Sequence, residues 1–528
     1  MDRRKFLGTS IKACAATAFT SGVMQSSFAS SAIMQAISAS CTDSILILVQ
    51  LNGGNDGLNT IIPLDQYSLL SAARSNVLVP ENSVLQTTQY AQTGFHPSFT
   101  DMHQLFEANK FSIVQGCSYD NPDLSHFRAT DIWMSGSNAD EFLRTGWAGR
   151  NLDQLYADWP NDYPNAEHPD PLAIQMGSST ALALEGGQAS FGLATTSISR
   201  DYALLSGFGD AVPETYAGCE LDFIRTIAVN TDAYNARILE AANNQKTNLS
   251  SKYGSGNLSS QLKNVARLIK GGMKTRVYMV SLMGFDTHAN QVDNSTTTGS
   301  HASLLTQVNE AIRGFQDDIE LMGVNKRVTG MIFSEFGRRV KSNGSKGTDH
   351  GTAMPVMLFG TELVGDMYGT NPDLLKPGTT STTVDNVPMQ YDYRSVYYSL
   401  LKDWFCLSSS QLDGVFGGKQ YQYISLFKEG SITANEEDVQ KELTSDKLYD
   451  IYPNVVDQSA IIPFNSAGGE VQLNLYDIEG HLLRTMIEKN LPSGPNRFTF
   501  ERQGLRSGTY IIEMITDTTR QTKKMILI

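Results

Sequence analysis

The chain has 528 residues, of which 41% are hydrophobic and 18% are charged, a composition typical of globular proteins. Its length favours one large domain followed by a smaller one. The formal net charge of −14 argues against nucleic acid as a partner, because non-specific binding to phosphates depends on basic surface. None of the five cysteines forms a CxxC pair, so a thiolate zinc site is not expected.

The N-terminus carries a targeting pattern. Arg3-Arg4 is followed by Lys5-Phe6-Leu7, by a mildly apolar stretch from about residue 11 to 24, and by the small-x-small triplet Ser27-Phe28-Ala29. This order predicts a twin-arginine signal peptide over residues 1–29, with the twin-arginine translocase as partner and the periplasm as a compartment in transit. The stretch is too short for a membrane span, so no transmembrane segment is expected in the mature chain. An ordinary amphipathic first helix is the alternative.

Apolar runs alternate with helix-length segments over residues 40–430. Such runs are typical of strands buried on both faces of a sheet, and helices between them indicate parallel crossovers. We therefore predict an α/β domain with a doubly wound, mainly parallel sheet, in which the less regular residues 150–270 are part helix and part insertion. The runs are Ser44–Leu51, Phe111–Gly116, Arg276–Leu282, Val328–Phe333 and Met354–Phe359, and Leu304–Leu321 is a helix-length amphipathic segment between two of them.

The composition changes near residue 430. Residues 431–448 are partly charged and are predicted to be a linker. Residues 449–528 contain short strands separated by turn residues, a pattern typical of a small β-sandwich. The clearest of these strands are Val471–Asp477, Arg497–Phe500 and Gly508–Met514.

Four pieces of this C-terminal segment form a recognisable set. They are Tyr452-Pro453-Asn454, Leu475-Tyr476-Asp477 with Gly480, Leu505–Tyr510, and the lysine-then-apolar terminus. Together they resemble the type A C-terminal sorting domain of the type IX secretion system. The resemblance implies that this machinery carries the protein across the outer membrane and leaves it at the cell surface or secreted. A generic sandwich that binds carbohydrate or a partner is the alternative.

Candidate ligand residues lie at the ends of the predicted strands. In open α/β sheets, ligands bind outside the carboxyl ends of the strands, so these side chains are expected to converge. Carboxylates mixed with imidazole suit Zn²⁺ or Mn²⁺, and a mainly oxygen set favours Mg²⁺ or Ca²⁺. We therefore expect one or two divalent metal ions per chain. The candidates are Asp56, Ser125, His126, Asp286, His288, Glu335, Asp349 and His350.

Each candidate taken alone has a simpler interpretation. Asp56 follows two glycines and suits a turn or a helix cap. Glu335 suits an ion pair with Arg338 or Arg339, and His126 suits a partly buried histidine. It is the concentration of Asp and His at strand ends, in a chain with only eight histidines, that predicts a site.

Five segments carry these candidates, namely Gly53–Asn59, Ser125–Arg128, Gly284–His288, Ser334–Arg338 and Gly347–Gly351, and Gly146-Trp147 is a sixth motif between them. Together they resemble domain-of-unknown-function family 1501, and the resemblance runs from the signal peptide to about residue 425. That family is placed in the alkaline-phosphatase-like superfamily with sulfatases and cofactor-independent phosphoglycerate mutases. The resemblance implies a doubly wound α/β sheet with a bimetal centre and a nucleophile at the start of a helix.

The resemblance also implies roles for individual residues. Asp56 corresponds to the metal-bridging acid, and Asp349-His350 to the Asp-His pair of one metal half-site. Asp286 and His288 correspond to the ligands of the other metal, although one residue separates them here where the superfamily usually has three. The superfamily's third zinc histidine has no match late in the domain. The candidates to complete the ligand set are His126, His96 and Glu335.

Ser125 is the predicted nucleophile, because it follows the second strand and can begin a helix where metal coordination would activate its hydroxyl. Thr130 is the substitute nucleophile, and Arg128 is predicted to bind the anionic ester oxygens. The combined prediction is an exported metal-dependent hydrolase of phosphate or sulfate esters, acting on a small-molecule or polymer substrate. The alternatives are a catalytically inactive surface or secreted binding protein on the same fold, and a purely structural Ca²⁺ site at Asp286 and Asp349.

Overall fold

The computed structural model describes residues 43–161, 163–199, 212, 215–375, 385–428, 445–449, 451 and 455–528. These residues form a mixed α/β region followed by a strand-rich C-terminal region. The predicted signal peptide, most of the predicted linker and the Tyr452-Pro453-Asn454 motif lie outside the described residues.

The α/β region alternates strands with helices, as the apolar runs predict. Its strands are β1 Ile45–Asn52, β2 Ile61–Pro63, β3 Leu85–Gln86, β4 Thr93–Phe95, β5 Phe111–Ser118, β6 Ala173–Met176, β7 Gly192–Thr195, β8 Val277–Met283, β9 Val328–Phe333, β10 Arg338–Ser342, β11 Thr348–His350, β12 Met354–Gly360, β13 Met367–Tyr368 and β14 Tyr391–Asp392. Its helices are α1 Gly57–Thr60, α2 Tyr67–Arg74, α3 Thr100–Glu107, α4 His126–Ser135, α5 Trp147–Leu155, α6 Tyr216–Asn244, α7 Asn257–Lys270, α8 Ser300–Leu321, α9 Tyr393–Ser399, which a π-helical turn at Leu400–Trp404 extends, and α10 Ser409–Phe416.

The central sheet has nine strands in the order β13-β5-β12-β9-β1-β8-β6-β7, with β14 also paired to β5. Strand β1 is parallel to both neighbours, β8 and β9, and β6 is parallel to β7 and β8. The mainly parallel sheet predicted from the sequence is therefore confirmed. Its carboxyl edge is where the loops that follow β1, β8 and β9 meet.

Strand β12 is the exception, because it runs antiparallel to both β5 and β9. The antiparallel hairpin of β10 and β11 precedes it, and a hairpin cannot provide the long crossover that a parallel strand requires. The direction of β12 has a consequence for the site. Residues just before Met354 lie at the carboxyl edge of the parallel strands, so Asp349 and His350 reach the same edge as the residues that follow β8 and β9.

Helices cover both faces of the sheet. Leu46 and Leu48 of β1 point into one core with α4, α5 and α9, and Ile47 and Val49 point into a second core with α3, α7 and α8. All four side chains are fully buried. A strand that is buried on both faces reads as a continuous apolar run rather than an alternating one, which is why β1 stands out in the sequence.

The less regular segment contains two strands that the sequence analysis did not identify. Strands β6 and β7 are four residues each and form the far edge of the sheet beyond β8. They are too short to make an apolar run, and Gln175 interrupts β6. Between β7 and β8 the chain forms the long helix α6 and the amphipathic helix α7.

The C-terminal residues that the structure describes, 445–449, 451 and 455–528, form strands and no helix. They are β15 Lys447–Leu448, β16 Val455–Val456, β17 Ser459–Ser466, β18 Gly469–Asp477, β19 Leu482–Leu491, β20 Gly494–Glu501, β21 Gly508–Thr516 and β22 Arg520–Leu527. They form a three-stranded sheet, β15-β17-β20, and a five-stranded sheet, β16-β22-β21-β18-β19. Val471, Leu473 and Leu475 of β18 are buried in a core that this region does not share with the α/β region. The alternation expected of Val471–Asp477 is therefore present.

Candidate functional site

The turn after β1 is tied to the loops after β8 and β9. Gly53 has a φ of +121°, and a Cβ at this position would lie 2.2 Å from the backbone nitrogen of Asp286. Only glycine combines that backbone conformation with so close an approach. The Gly53 N–H donates to Glu335 Oε1 at 2.8 Å. The three loops therefore meet in one place at the carboxyl edge of the sheet.

The buried guanidinium of Arg338 makes hydrogen bonds to several of these loops. Its Nε donates to Gly54 O at 2.7 Å, and its Nη1 donates to Thr348 O at 2.7 Å. Its Nη2 donates to Phe285 O at 3.0 Å and to Asp286 Oδ1 at 2.8 Å. One planar cation thus binds three segments, namely the turn after β1, the loop after β8, and β11, and places a positive charge against Asp286. The alternative pairing of Glu335 with Arg338 is not what the structure has, since Arg338 pairs with Asp286.

Asp286 is the centre of a side-chain cluster on this edge. Its Oδ1 lies 3.2 Å from His350 Nε2 and 3.2 Å from His288 Nε2, and its Oδ2 lies 3.5 Å from His126 Nε2. The side chain of Asp286 is 47% exposed, so the cluster opens to solvent. Ligand atoms of His126, Asp286 and His350 all lie within 4.8 Å of one another. Two imidazoles and one carboxylate form a ligand set of the kind found in mononuclear metal sites.

The Nε2 atoms of His350 and His126 are directed towards Asp286 because the Nδ1 atom of each ring has a fixed partner. His350 Nδ1 lies 2.8 Å from Leu124 O. Because a carbonyl oxygen can only accept a hydrogen bond, Nδ1 carries the proton. In the neutral ring, Nε2 therefore keeps its lone pair. His126 Nδ1 lies 2.7 Å from Glu335 Oε1. Its Nε2 is buried and makes no hydrogen bond. A carbonyl or carboxylate behind the ring is the arrangement found around metal-binding histidines.

Phe336 supports both histidine rings. Its ring centroid lies 4.9 Å from that of His126 and 4.6 Å from that of His350, and its side chain is buried. A Cβ on Gly54 would lie 2.4 Å from this ring. Phe336 and the role of Arg338 were not predicted from the sequence, although both lie in the segment after β9 that contains Glu335.

His288 and Asp349 form the outer side of the cluster. His288 Nδ1 lies 3.2 Å from Asp349 Oδ1, so the imidazole stands between Asp349 and Asp286. Asn343 Nδ2 donates to Asp349 Oδ1 at 3.1 Å and to His288 O at 2.8 Å. The side chains of His288 and Asp349 are 44% and 49% exposed. The structure therefore brings together His126, Asp286, His288, Glu335, Asp349 and His350.

Ser125 lies at the start of α4, as expected from the sequence, and its role as nucleophile stays a prediction. It is the exposed N-cap residue of this helix, and its hydroxyl makes no capping hydrogen bond. Leu124 and His126, its neighbours in the chain, both contact the cluster. Thr130 lies in the body of the same helix and is half-buried.

Arg128 is directed towards a neighbouring loop. Its Nη2 donates to the carbonyls of Ala139 and Glu141 at 2.9 and 2.6 Å. Its guanidinium carbon lies 3.9 Å from the centroid of the exposed Phe142 ring. These contacts hold the loop after α4 against that helix.

Asp56 and His96 lie in a second, fully buried network beneath the cluster. Asp56 accepts from Arg74 Nη1 at 2.8 Å and from Gln291 Nε2 at 2.6 Å. The rings of His96 and His301 are 5.9 Å apart, and burial lowers the pKa of His96 to about 3 and that of His301 to about 4. Both rings are therefore neutral near pH 7. His301, Arg74 and Gln291 were not identified from the sequence, where nothing indicates that they approach Asp56.

The cluster combines an ionised carboxylate with a neutral imidazole. Burial opposes ionisation of Asp286, but the hydrogen bond and charge of Arg338 outweigh it and lower the pKa to about 2. Burial and the charge of Arg338 lower the pKa of His350, although its contact with Leu124 O opposes the shift. At neutral pH the site therefore offers a negative oxygen and a nitrogen lone pair, both of which bind divalent cations.

Two family comparisons agree with the motifs. Residues 231–416 match the family described as "Protein of unknown function (DUF1501)", and residues 450–528 match the "Secretion system C-terminal sorting domain". Both resemblances drawn from the sequence are thereby confirmed, the first of them over residues 231–416, whereas its extension from the signal peptide to residue 230 stays a prediction. None of the curated proteins shows detectable similarity to this chain.

The solved structures that match this chain are only distantly similar to it. The PsFucS1 sulfatase from Pseudoalteromonas sp. is 8% identical over 92% of this chain and 88% of its own, with a TM-score of 0.33. A protein in the alkaline phosphatase superfamily from Vibrio parahaemolyticus is 8% identical over 86% and 90% of the two chains, with a TM-score of 0.28. PorZ, a surface component of the type IX secretion system of Porphyromonas gingivalis, is 15% identical over 20% of this chain and 13% of its own, with a TM-score of 0.13.

The sorting domain defines where the protein goes. It marks the chain for export by the type IX secretion machinery to the cell surface or the medium. No helix among the described residues is long and apolar enough to cross a membrane. Cys406 is disulfide-bonded, as is common in proteins that leave the reducing cytosol. The twin-arginine signal remains a prediction, because residues 1–29 lie outside the described part of the chain.

Proposed function

We propose that this exported protein is a metal-dependent hydrolase of phosphate or sulfate esters, with the metal held by His126, Asp286 and His350. One observation carries the proposal. Two histidines have their Nδ1 atoms engaged by Glu335 and by Leu124 O, and their Nε2 atoms face the same carboxylate. The Nε2 of His126 supports it further, because it is buried 3.5 Å from Asp286 Oδ2 without a hydrogen bond, a state that is costly unless something binds the atom.

The ligand chemistry favours a borderline metal. Two imidazole nitrogens and one carboxylate suit Zn²⁺ or Mn²⁺ better than Ca²⁺ or Mg²⁺, which prefer oxygen. When bound, such a cation supplies a Lewis acid that stabilises negative charge on an ester oxygen. His288 and Asp349, at the exposed side of the cluster, are the further candidate ligands.

The chain's own residues would carry out the remaining steps. Ser125 would act as the nucleophile, and its hydroxyl is free of the capping bond that an N-cap serine usually makes. The N-terminus of α4 presents partial positive charge at the same point, which favours an anionic ester group. Arg338 would keep Asp286 ionised and in place. Arg128 holds the loop that contains Phe142, so its role would be to position that loop rather than to bind the ester.

The metal site is tested by elemental mass spectrometry of the mature full-length chain after incubation with Zn²⁺, Mn²⁺ or Mg²⁺. Wild type should retain zinc or manganese after desalting, and the double variant His126→Ala, His350→Ala should lose it. His103→Ala is the matched control, because this histidine contacts Gln86 and Glu107 outside the cluster. An unmetallated wild type, or equal metal in all three proteins, would refute the proposal.

The hydrolase activity is tested on a panel of phosphate and sulfate esters with the metal-loaded protein. Ser125→Ala should retain the metal but lose activity on the order of 10³-fold or more, as an enzyme does without its nucleophile. Thr130→Ala should leave the rate unchanged. If Ser125→Ala keeps full activity, the nucleophile is elsewhere.

A secreted binding protein that uses the same fold without catalysis is the second candidate. The engagement of Arg128 by backbone carbonyls and Phe142 favours it, because a hydrolase of anionic esters needs a cationic group free to bind the substrate. A metal-loaded protein that is inactive on every ester in the panel would support this alternative.

A further inference from the structure

We infer that Arg74 takes the place of a second metal ion at Asp56, so that the site binds one divalent cation rather than two. This inference rests on the proposed function, because it concerns how many cations the same site holds. The resemblance to the alkaline-phosphatase-like superfamily implies a bimetal centre with Asp56 as the bridging acid. The contacts around Asp56 do not fit that role.

Both carboxylate oxygens of Asp56 are already occupied by fixed donors. Arg74 Nη1 lies 2.8 Å from Oδ1 and 3.0 Å from Oδ2. Gln291 Nε2 donates to Oδ2 at 2.6 Å. The amide of Gln291 cannot turn round, because its Oε1 accepts from the hydroxyls of Thr287 and Thr348 at 3.1 and 2.7 Å. A cation would have to displace donors that are themselves locked in place.

Two backbone carbonyls hold Arg74 in place in addition to Asp56. It ends helix α2, and its Nε donates to Val340 O at 2.8 Å, while its Nη2 donates to Arg339 O at 2.7 Å. The side chains of Arg74 and Asp56 are both fully buried. If a metal ion took Asp56, the guanidinium would remain buried without a counter-ion, a state that folded proteins avoid.

The charges support the same assignment. Burial opposes ionisation of Asp56, but the charge and the hydrogen bond of Arg74 keep its pKa below the ordinary value of an aspartate. The carboxylate is therefore ionised and already neutralised by a resident cation. In a bimetal centre the bridging carboxylate depends on bound metal for that neutralisation, whereas here a side chain of the chain itself supplies it.

The Asp56–Arg74 pair connects two parts of the site. Asp56 precedes α1 in the turn after β1, and Arg74 connects that turn to β10, whose first residue is Arg338. Arg338 in turn contacts Asp286. Arg74 therefore joins the turn after β1 to β10 through its hydrogen bonds to Asp56, Arg339 O and Val340 O.

The stoichiometry of metal binding tests the inference. Full-length protein titrated with Mn²⁺ should bind one equivalent and give the six-line electron paramagnetic resonance spectrum of an isolated ion. Two equivalents with the spectrum of a spin-coupled pair would overturn the inference while leaving the metal-dependent function intact. No bound manganese or zinc would refute the proposed function itself, so the two failures are distinguishable.

Isosteric variants show whether Asp56 is a ligand. Asp56→Asn should retain one equivalent, and so should the double variant Asp56→Asn, Arg74→Gln, which removes both buried charges together. Asp286→Asn should bind manganese at least about 10-fold more weakly. If Asp56→Asn loses manganese as Asp286→Asn does, with a circular dichroism spectrum like that of wild type, Asp56 is a ligand and the inference is wrong.

Discussion

A histidine binds a metal ion only through an unprotonated ring nitrogen, and the partner of the other nitrogen decides which one that is. Here the carbonyl of Leu124 and the carboxylate of Glu335 stand behind His350 and His126. Both Nε2 atoms therefore point towards Asp286. Glu335, which the sequence analysis considered as an extra ligand, has the geometry of a residue that orients a ligand.

Glu335→Gln should weaken metal binding about 10- to 100-fold, the usual cost of mutating the group behind a metal-binding histidine. The amide oxygen can still accept from the Gly53 N–H and from His126 Nδ1, so the loop should stay in place and the loss comes from the missing negative charge. The dissociation constant for zinc, measured in competition with a chromophoric chelator, checks this. Glu488→Gln, an exposed position on β19, is the control. An unchanged constant for Glu335→Gln would mean that His126 does not depend on this carboxylate.

Asp403 predicts a pH dependence of stability away from the site. Burial raises its pKa to about 7, although a hydrogen bond from Tyr423 opposes the shift. Between about pH 4 and pH 7 the folded protein keeps this proton while the unfolded chain releases it. The contribution of Asp403 to stability is therefore present at low pH and is lost as the pH rises through 7.

Asp403→Asn should remove this loss, because an amide does not ionise. Relative to wild type, the variant should gain about 3 kcal/mol of stability from pH 5 to pH 8, because wild type loses about 1.4 kcal/mol per pH unit between pH 5 and its folded pKa of about 7. Urea unfolding at the two pH values measures the gain. Asp413→Asn, at an exposed position on α10, should follow wild type. Parallel pH profiles for all three proteins would contradict the prediction.

Among the structural elements, the turn after β1 depends most on one residue type. Gly53→Ala should destabilise the protein by more than about 1 kcal/mol, because the new methyl group meets the Asp286 backbone at an unfavourable φ. It should also weaken metal binding by moving Asp286. Gly272→Ala is a matched control, since Gly272 has a φ of +102° and nothing within 4 Å of an added Cβ. Thermal unfolding and metal titration of both variants separate the cost of the positive φ, which both share, from the steric clash with Asp286, which only Gly53→Ala has. Equal effects of the two variants would mean that the contact with Asp286 is not important.

The elements of the sheet differ in how well the sequence predicts them. Strands β1, β5, β8, β9 and β12 are long apolar runs, because helices cover both of their faces, and each was predicted close to its observed bounds. Strands β6 and β7 were missed, because four residues at a sheet edge leave no such run. The direction of β12 was not predictable from its own residues, since it depends on the preceding hairpin.

The site was predictable in part for the same reason. Asp286, His288, Asp349 and His350 follow or precede buried strands, so the position of the strands indicates that they converge. The partners of these residues could not be inferred, because they are distant in sequence. Arg338 contacts Gly54 across 284 positions, and Gln291 contacts Asp56 across 235, and no local pattern indicates such contacts.

At the scale of the whole molecule, the α/β region and the sorting region have separate hydrophobic cores. A chain that ends at residue 428 should therefore keep the metal site and its unfolding transition, but should accumulate in the periplasm. Cell fractionation with immunodetection, and metal analysis of the purified truncated chain, check both parts. The result would contradict this account if the truncated chain still reached the medium, or if it lost its metal.

The central claim is that His126, Asp286 and His350 hold a divalent cation. The most direct test is a crystal structure of the zinc-loaded protein, with anomalous diffraction recorded on both sides of the zinc absorption edge. We predict one anomalous peak bound by the Nε2 atoms of His126 and His350 and a carboxylate oxygen of Asp286. A peak at Asp56, or zinc-loaded crystals without a peak in this cluster, would contradict it.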